Sequence, residues 1–159
     1  MQLWELMARE SIRDLVARYN ANGDSGRFEE MLKVFADDAV MELVSFDGSI
    51  RRYEGIAQVA TIFSDTKASW DGSVRPTAAR HHVRHFTATH QIDLVDESHA
   101  GGRCYFLVLM GHGVDHWGRY IDEYRSVDGV WKFSRRGVTT DGSSEASLFR
   151  NVIAAPKFK

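Results

Sequence analysis

Apolar residues recur at three- and four-residue steps through the first turns of the chain: Leu3, Leu6, Met7, Ile12, Leu15, Val16 and Tyr19. That spacing predicts an amphipathic helix from Met1 to Asn22, with Gly23 as its stop. Asp24, Ser25 and Gly26 are residue types that cap a second helix, whose shorter stripe of Phe28, Met31, Leu32 and Phe35 ends at Asp37 and Asp38. Val40 to Leu43 then reads as a strand, Asp47-Gly48 as a hairpin turn, Ile50 to Tyr53 as the partner strand, and Ile56 to Phe63 as a third short helix. The stretch from Ser64 to Ala79, with Gly72 and Pro76, reads as a loop.

The second half changes period. Val83 to Leu94, Arg103 to Met110, Gly118 to Tyr124 and Val130 to Val138 are rich in β-branched and aromatic residues, and Asp128-Gly129 is a strong hairpin signal. Short connections between such segments predict an antiparallel meander. Helices that precede a run of strands give an α+β fold. No repeat and no shift of composition divides the chain, so one domain covers 1–159, with a core from about 8 to 138. The tail from Thr139 to Lys159 turns apolar again at Leu148-Phe149 and Val152-Ile153, which predicts that it packs back on the body or on a partner subunit.

Composition narrows the partners. With 43% hydrophobic residues the chain is globular, and a formal charge of -2 offers no basic field for nucleic acid. The lone Cys104 excludes an internal disulfide and a cysteine-based zinc cluster. The start MQLWELMARE has neither a signal-peptide pattern nor an apolar run fit for a bilayer, so the expected location is the cytoplasm.

Three of the seven histidines fall in HHVRH, from His81 to His85. A metal site needs ligands within about 2.0–2.2 Å of one ion. On a strand His81 and His82 face opposite sides, and His81 and His85 lie roughly 13 Å apart. His112 and His116 meet the same objection on one strand, so no metal is expected. Alternation along Val83 to Leu94 places Arg84, Phe86, Ala88, Ile92 and Leu94 on one face, and Val83, His85, Thr87, Thr89 and Asp93 on the other. His85 thus projects among small polar neighbours, which suits a half-buried site and a solvated sheet face equally.

The phrases IRDLVARYNANGDSGRFEEMLKVFADDAV, RHFTATHQIDLV and GRYIDEYRSVDGVWKF, in that order and spacing from about Ile12 to Arg136, resemble the SnoaL-like proteins of the nuclear-transport-factor-two-like superfamily. The similar branch is that of scytalone dehydratase and hexachlorocyclohexane dehydrochlorinase. The resemblance implies a cone: N-terminal helices packed in a strongly curved, mainly antiparallel sheet that leaves an apolar pocket. It also implies a dyad, with Asp24 at the end of the first helix and His85 on the long strand. Without the resemblance, Asp24 reads more readily as a turn or cap residue.

By the same resemblance Arg136 faces the pocket, although a one-residue slip would put Arg135 there instead. Where the dehydrochlorinase carries a Lys on its first helix this chain has Tyr19. That departure is similar to the tyrosines through which scytalone dehydratase polarises a carbonyl. Tyr120, Asp122 and Tyr124 alternate on one face and are candidates for binding substrate, with core aromatics as the plainer reading of the tyrosines. Asp37 and Asp38 are given no chemistry.

An imidazole oriented by a carboxylate is a base that works without metal or organic cofactor. The expectation is a cofactor-free lyase or isomerase acting on a small apolar cyclic or aromatic ketone or alcohol. Two alternatives stand beside it: a ligand-binding or assembly domain of the same fold, and the small subunit of a ring-hydroxylating dioxygenase. Phe106, Val108 and Met110 alternate on a strand expected to offer an outer face for a homodimer or homotrimer.

Overall fold

The computed structural model describes residues 1–45, 47–71 and 82–148, with 66–71 as backbone alone. Helix α1 runs Leu3–Asp24 and buries Ala8, Ile12, Leu15, Val16, Tyr19 and Asn20, one side of a 3.6-residue period. The expected stripe is corrected at its start: Leu3, Leu6 and Met7 are exposed, and packing begins at Ala8. The helix also passes Gly23 and ends one residue later. Asp24 is therefore in its last turn, and Ser25 and Gly26, the latter at φ +69°, carry the chain out. Helix α2 is only Phe28–Leu32, and its N-cap is Arg27 rather than Asp24 or Ser25.

Phe35 does not continue that helix. It opens strand β1 (Phe35–Val44), which pairs in parallel with the last strand of the chain, Phe35 opposite Phe133 and Val40 opposite Arg135. The register shift between them spans Asp37 and Asp38, and the exposed Asp38 pairs with Arg125. A periodic stripe cannot distinguish Phe35 as the fourth helix position from Phe35 as the first strand position, because burial is the same in both. Strand β2 (Ile50–Glu54) forms a hairpin with β1, and helix α3 (Ile56–Asp71) runs eight residues beyond Phe63 into the segment read as loop; 72–79 lie outside the described residues.

Strands β3 (Arg84–Leu94), β4 (His99–Met110), β5 (Gly113–Val127) and β6 (Val130–Ser143) form the expected antiparallel meander, β3 starting one residue later than expected and the other three running past their predicted segments. The Asp128-Gly129 turn has both residues at positive φ, +51° and +79°, as a two-residue hairpin requires. The six strands lie in the order β2-β1-β6-β5-β4-β3, a mixed sheet with one parallel pair. Helix α1 packs along the edge strand β3 and helix α3 against β1. The concave face carries the core: Met41, Cys104, Phe106, Val108, Met110, Tyr120, Tyr124 and Phe133 are all buried.

That arrangement reverses one expectation. Phe106, Val108 and Met110 point inward, and their alternates Tyr105, Leu107 and Leu109 form the outer face, at 58%, 36% and 39% exposure. Both sets are apolar, so the alternation that normally labels the faces of a strand is silent here.

Candidate active site

The last residue of α1 and the second residue of β3 meet. Asp24 Oδ1 lies 2.5 Å from His85 Nδ1, and Asp24 Oδ2 accepts the backbone N–H of His85 at 2.9 Å. β3 is an edge strand, so its outward backbone groups need partners from elsewhere. Helix α1 supplies them at both ends, Asp24 to the N–H of His85 and Arg9 to the carbonyl of Ile92. One carboxylate thus seals a sheet edge and orients an imidazole. With Nδ1–H donated to Asp24, His85 presents Nε2 as an acceptor. The Asp24 side chain is 9% exposed and that of His85 25%.

Simple alternation along β3 fails at Thr89, whose φ of +54° marks a bulge, and the pairing with β4 slips between Ala88 and Gln91. One extra residue exchanges the faces. His85 therefore shares the inner side with His90, Ile92 and Leu94 rather than with Thr89 and Asp93. The inner half of β3 is continuous although the sequence reads as two alternating halves.

A second cluster sits deeper. Arg136 is wholly buried, and its Nε and Nη2 donate to Asp122 Oδ1 and Oδ2 at 3.1 and 3.0 Å. Its guanidinium carbon lies 4.0 Å from the ring of Tyr19, 3.9 Å from that of Tyr120 and 4.2 Å from that of Phe133. Aromatic faces and one carboxylate are what a charge removed from water needs. Burial pushes the Asp122 carboxyl up despite Arg136 beside it. Burial also opposes the charge of Arg136, but Asp122 and the surrounding phenols outweigh it and hold the guanidinium above its ordinary value. Burial raises Tyr19, Tyr120 and Tyr124 as well, so all three phenols keep their protons.

The register decides between the adjacent arginines. Arg136 is opposite Asp122 across β5–β6 and faces in; Arg135 is opposite Glu123 and reaches Glu42 on the other face, Nε to Oε2 at 3.1 Å. Arg136 Nη1 is a buried donor with no hydrogen-bond partner among the described residues. Tyr124 Oη donates to Asp122 Oδ2 at 3.1 Å and lies 3.3 Å from His90 Nε2, so the Asp122 carboxylate is held from two sides. Cys104 is buried nearby, its thiol pushed up to about 12 by burial, which leaves it a small apolar side chain rather than a nucleophile.

Two rings join the clusters. Phe106 stacks on Tyr120 with centroids 4.7 Å apart and lies 6.4 Å from the ring of His85. The chain of contacts from His85 to Phe106, Tyr120 and Arg136 brings together the residues that the sequence had marked separately. His81 lies outside the described residues, as do Phe149, Val152 and Ile153 of the tail.

Sequence reading missed Asp115, His116 and His90. Leu109 pairs with Val114 and Val108 with His116, leaving Asp115 as the extra residue of a bulge in β5. Asp115 and His116 are consecutive yet both buried, which no regular strand allows. Adjacent Asp and His were visible in the sequence, but nothing there announced the bulge. Among the described residues, no group of three or more His, Cys, Asp or Glu side chains is arranged to hold a metal ion.

The family model of the SnoaL-like domain matches residues 4–137, which spans all of these elements. The chain belongs to the SnoaL-like family. Solved structures agree on the fold. A scytalone dehydratase-like protein of Novosphingobium aromaticivorans superposes with a TM-score of 0.72 at 22% identity, covering 93% of each chain. The hexachlorocyclohexane dehydrochlorinase LinA-type3 of Novosphingobium barchaimii gives 0.69 at 21%, over 89% of this SnoaL-like chain and 92% of its own. A ring-hydroxylating-dioxygenase-type β subunit, again from N. aromaticivorans, gives 0.71 at 18%, over 91% and 95%. No curated protein sequence matches the chain. At these identities the likeness is one of fold.

Proposed function

We propose that this SnoaL-like protein is a lyase or isomerase that works by proton transfer between side chains and substrate in the cytoplasm, acting on a small apolar cyclic or aromatic ketone or alcohol. The observation that carries the reading is the double contact of Asp24 with His85, 2.5 Å to the ring and 2.9 Å from the backbone N–H. It holds one tautomer and stabilises the imidazolium once a proton arrives. Two of the similar folds bear the names of a dehydratase and a dehydrochlorinase, both eliminations, which favours the same class here.

In the proposed dehydration of a β-hydroxy ketone, His85 Nε2 takes the proton next to the carbonyl. The freed electron pair forms the C=C bond, and the C–O bond breaks with its electron pair going to the oxygen, which takes a proton and leaves as water. Charge gathering on the carbonyl oxygen is met by the Arg136 Nη1 donor and the phenol of Tyr19. Tyr120, Asp122 and Tyr124 hold that guanidinium in place and form the floor on which the substrate rests. Proton removal by a positioned base contributes about 10²- to 10⁴-fold, and positioning by the apolar walls supplies more.

The test is a screen of cyclic ketones and alcohols against wild type and His85→Ala, following binding, loss of water and α-proton exchange. Chemistry that disappears in the variant while binding persists supports the reading. Full activity in His85→Ala overturns it.

The outer face favours an assembly role in addition. Phe86, Leu107 and Trp117 are neighbours across β3, β4 and β5 and are 57%, 36% and 41% exposed. A contiguous apolar row on a sheet marks an interface, here with further copies of the chain as homodimer or homotrimer. If binding without chemistry is all the screen finds, a ligand-binding or subunit role, as in the dioxygenase-type β subunit of the same fold, becomes the better reading.

A further inference from the structure

The bulge in β5 builds a second carboxylate–imidazole pair facing the first. His116 Nδ1 lies 2.7 Å from Asp115 Oδ1, as His85 Nδ1 lies 2.5 Å from Asp24 Oδ1. Val108 pairs with His85 on one side and with His116 on the other, so the two histidines stand at the same level on β3 and β5, two strand spacings or roughly 10 Å apart. Both are turned to the concave side, and the ring of Phe106 lies between them, its centroid 6.4 Å from His85 and 5.9 Å from His116.

The carboxylate of this second pair is itself held in place. Asp115 is fully buried and already has neutral partners: Ser147 Oγ donates at 2.8 Å and the N–H of Leu148 at 2.8 Å. His112 Nε2 adds a third contact at 3.2 Å. These bonds anchor the segment after β6 and fix the carboxylate, which in turn fixes the tautomer and direction of His116.

We infer that Asp115–His116 is a second acid/base unit of the same site, so that His85 and His116, each tethered by its own carboxylate across Phe106, share one proton and act as base and acid in one turnover. The inference rests on the elimination proposed above. His85 takes the C–H proton, the electron pair forms the C=C bond and breaks the C–O bond, and the protonated His116 gives its proton to the departing oxygen, which leaves as water. One proton has entered the pair and one has left it. Exchange with solvent returns it from His85 to His116.

The groups that face the pair are Asp24 from α1, Asp115 from the bulge, His112 beyond it and each imidazole itself. Burial moves His116 below the ordinary imidazole value of 6.5, Asp115 works against that, and the charge of His85 adds to it. Protonated His116 is accordingly a ready donor, and the rate should fall as rising pH takes its proton away.

The experiment uses the full-length protein with labelled imidazoles, followed by NMR from pH 4.5 to about 8.5, and 3-hydroxycyclohexanone as the elimination probe. His85→Gln should raise the midpoint of His116 by about one pH unit for charges this far apart. On the probe, His116→Gln should slow elimination about 10²-fold or more and remove the alkaline limb of the profile. If His85→Gln leaves the midpoint of His116 where it is, or if His116→Gln leaves rate and profile unchanged while His85→Gln abolishes turnover, the second unit is wrong and the His85 reading stands. If neither substitution changes the rate, both fall.

Discussion

Asp24 and His85, 61 positions apart in the sequence, are joined by two hydrogen bonds that one carboxylate accepts, from the ring and from the backbone N–H of the same residue. The backbone bond closes the exposed edge of β3, so orientation of the imidazole and integrity of the edge depend on a single side chain. Asp24→Asn keeps an acceptor for the N–H but loses the charge that stabilises the imidazolium. Elimination activity should fall by about 10²-fold or more, with the melting temperature little changed. Turnover of the probe ketone set beside a thermal melt checks this, and an equal loss of both would make Asp24 a structural residue only.

Arg136 and Asp122 form an ion pair with no exposure of either side chain. Arg136→Met leaves the Asp122 carboxylate buried without its cation and should cost about 3–5 kcal/mol. The double variant Arg136→Met with Asp122→Asn removes both charges and should recover a large part of that. Urea denaturation of the three proteins measures it; a double variant no better than the single would show that packing of the guanidinium among Tyr19, Tyr120 and Phe133, rather than charge, is what matters.

Acid should weaken the fold through its buried histidines. Burial lowers His116 and also His90, where the charges of Arg13 and Arg136 add to the effect. A histidine lowered on folding binds its proton more readily in the unfolded chain, so stability is full above the ordinary value of 6.5 and declines as pH falls below it. Denaturation curves between pH 8 and about 5 should show this slope, and His116→Gln should flatten it. A slope unchanged by that substitution would place the linkage elsewhere.

Leu107 stands in the middle of the outer apolar row, between Phe86 and Trp117. Wild type should elute with a mass that is a multiple of the 18.0 kDa chain, and Leu107→Glu should shift it toward the single chain, because a desolvated carboxylate opposes a paired apolar face. Light scattering on the eluting peak distinguishes the two, and a wild type of one-chain mass would remove the interface.

The sequence by itself determined the helical start, the four-stranded meander and the Asp128-Gly129 turn, and family likeness singled out Asp24 and His85. These rest on periodicity, on turn chemistry and on short phrases, all local properties of the chain. Tertiary structure alone decided which side of β4 is inside, since Phe106 and Leu107 are equally apolar. It alone decided that Phe35 belongs to β1, through its parallel pairing with Phe133. The bulges at Thr89 and Asp115 also lay beyond sequence reading, and they place His90 and His116 on the inner face. A bulge adds one residue to one strand only, so it is defined by the partner strand's register, which no stretch of sequence contains.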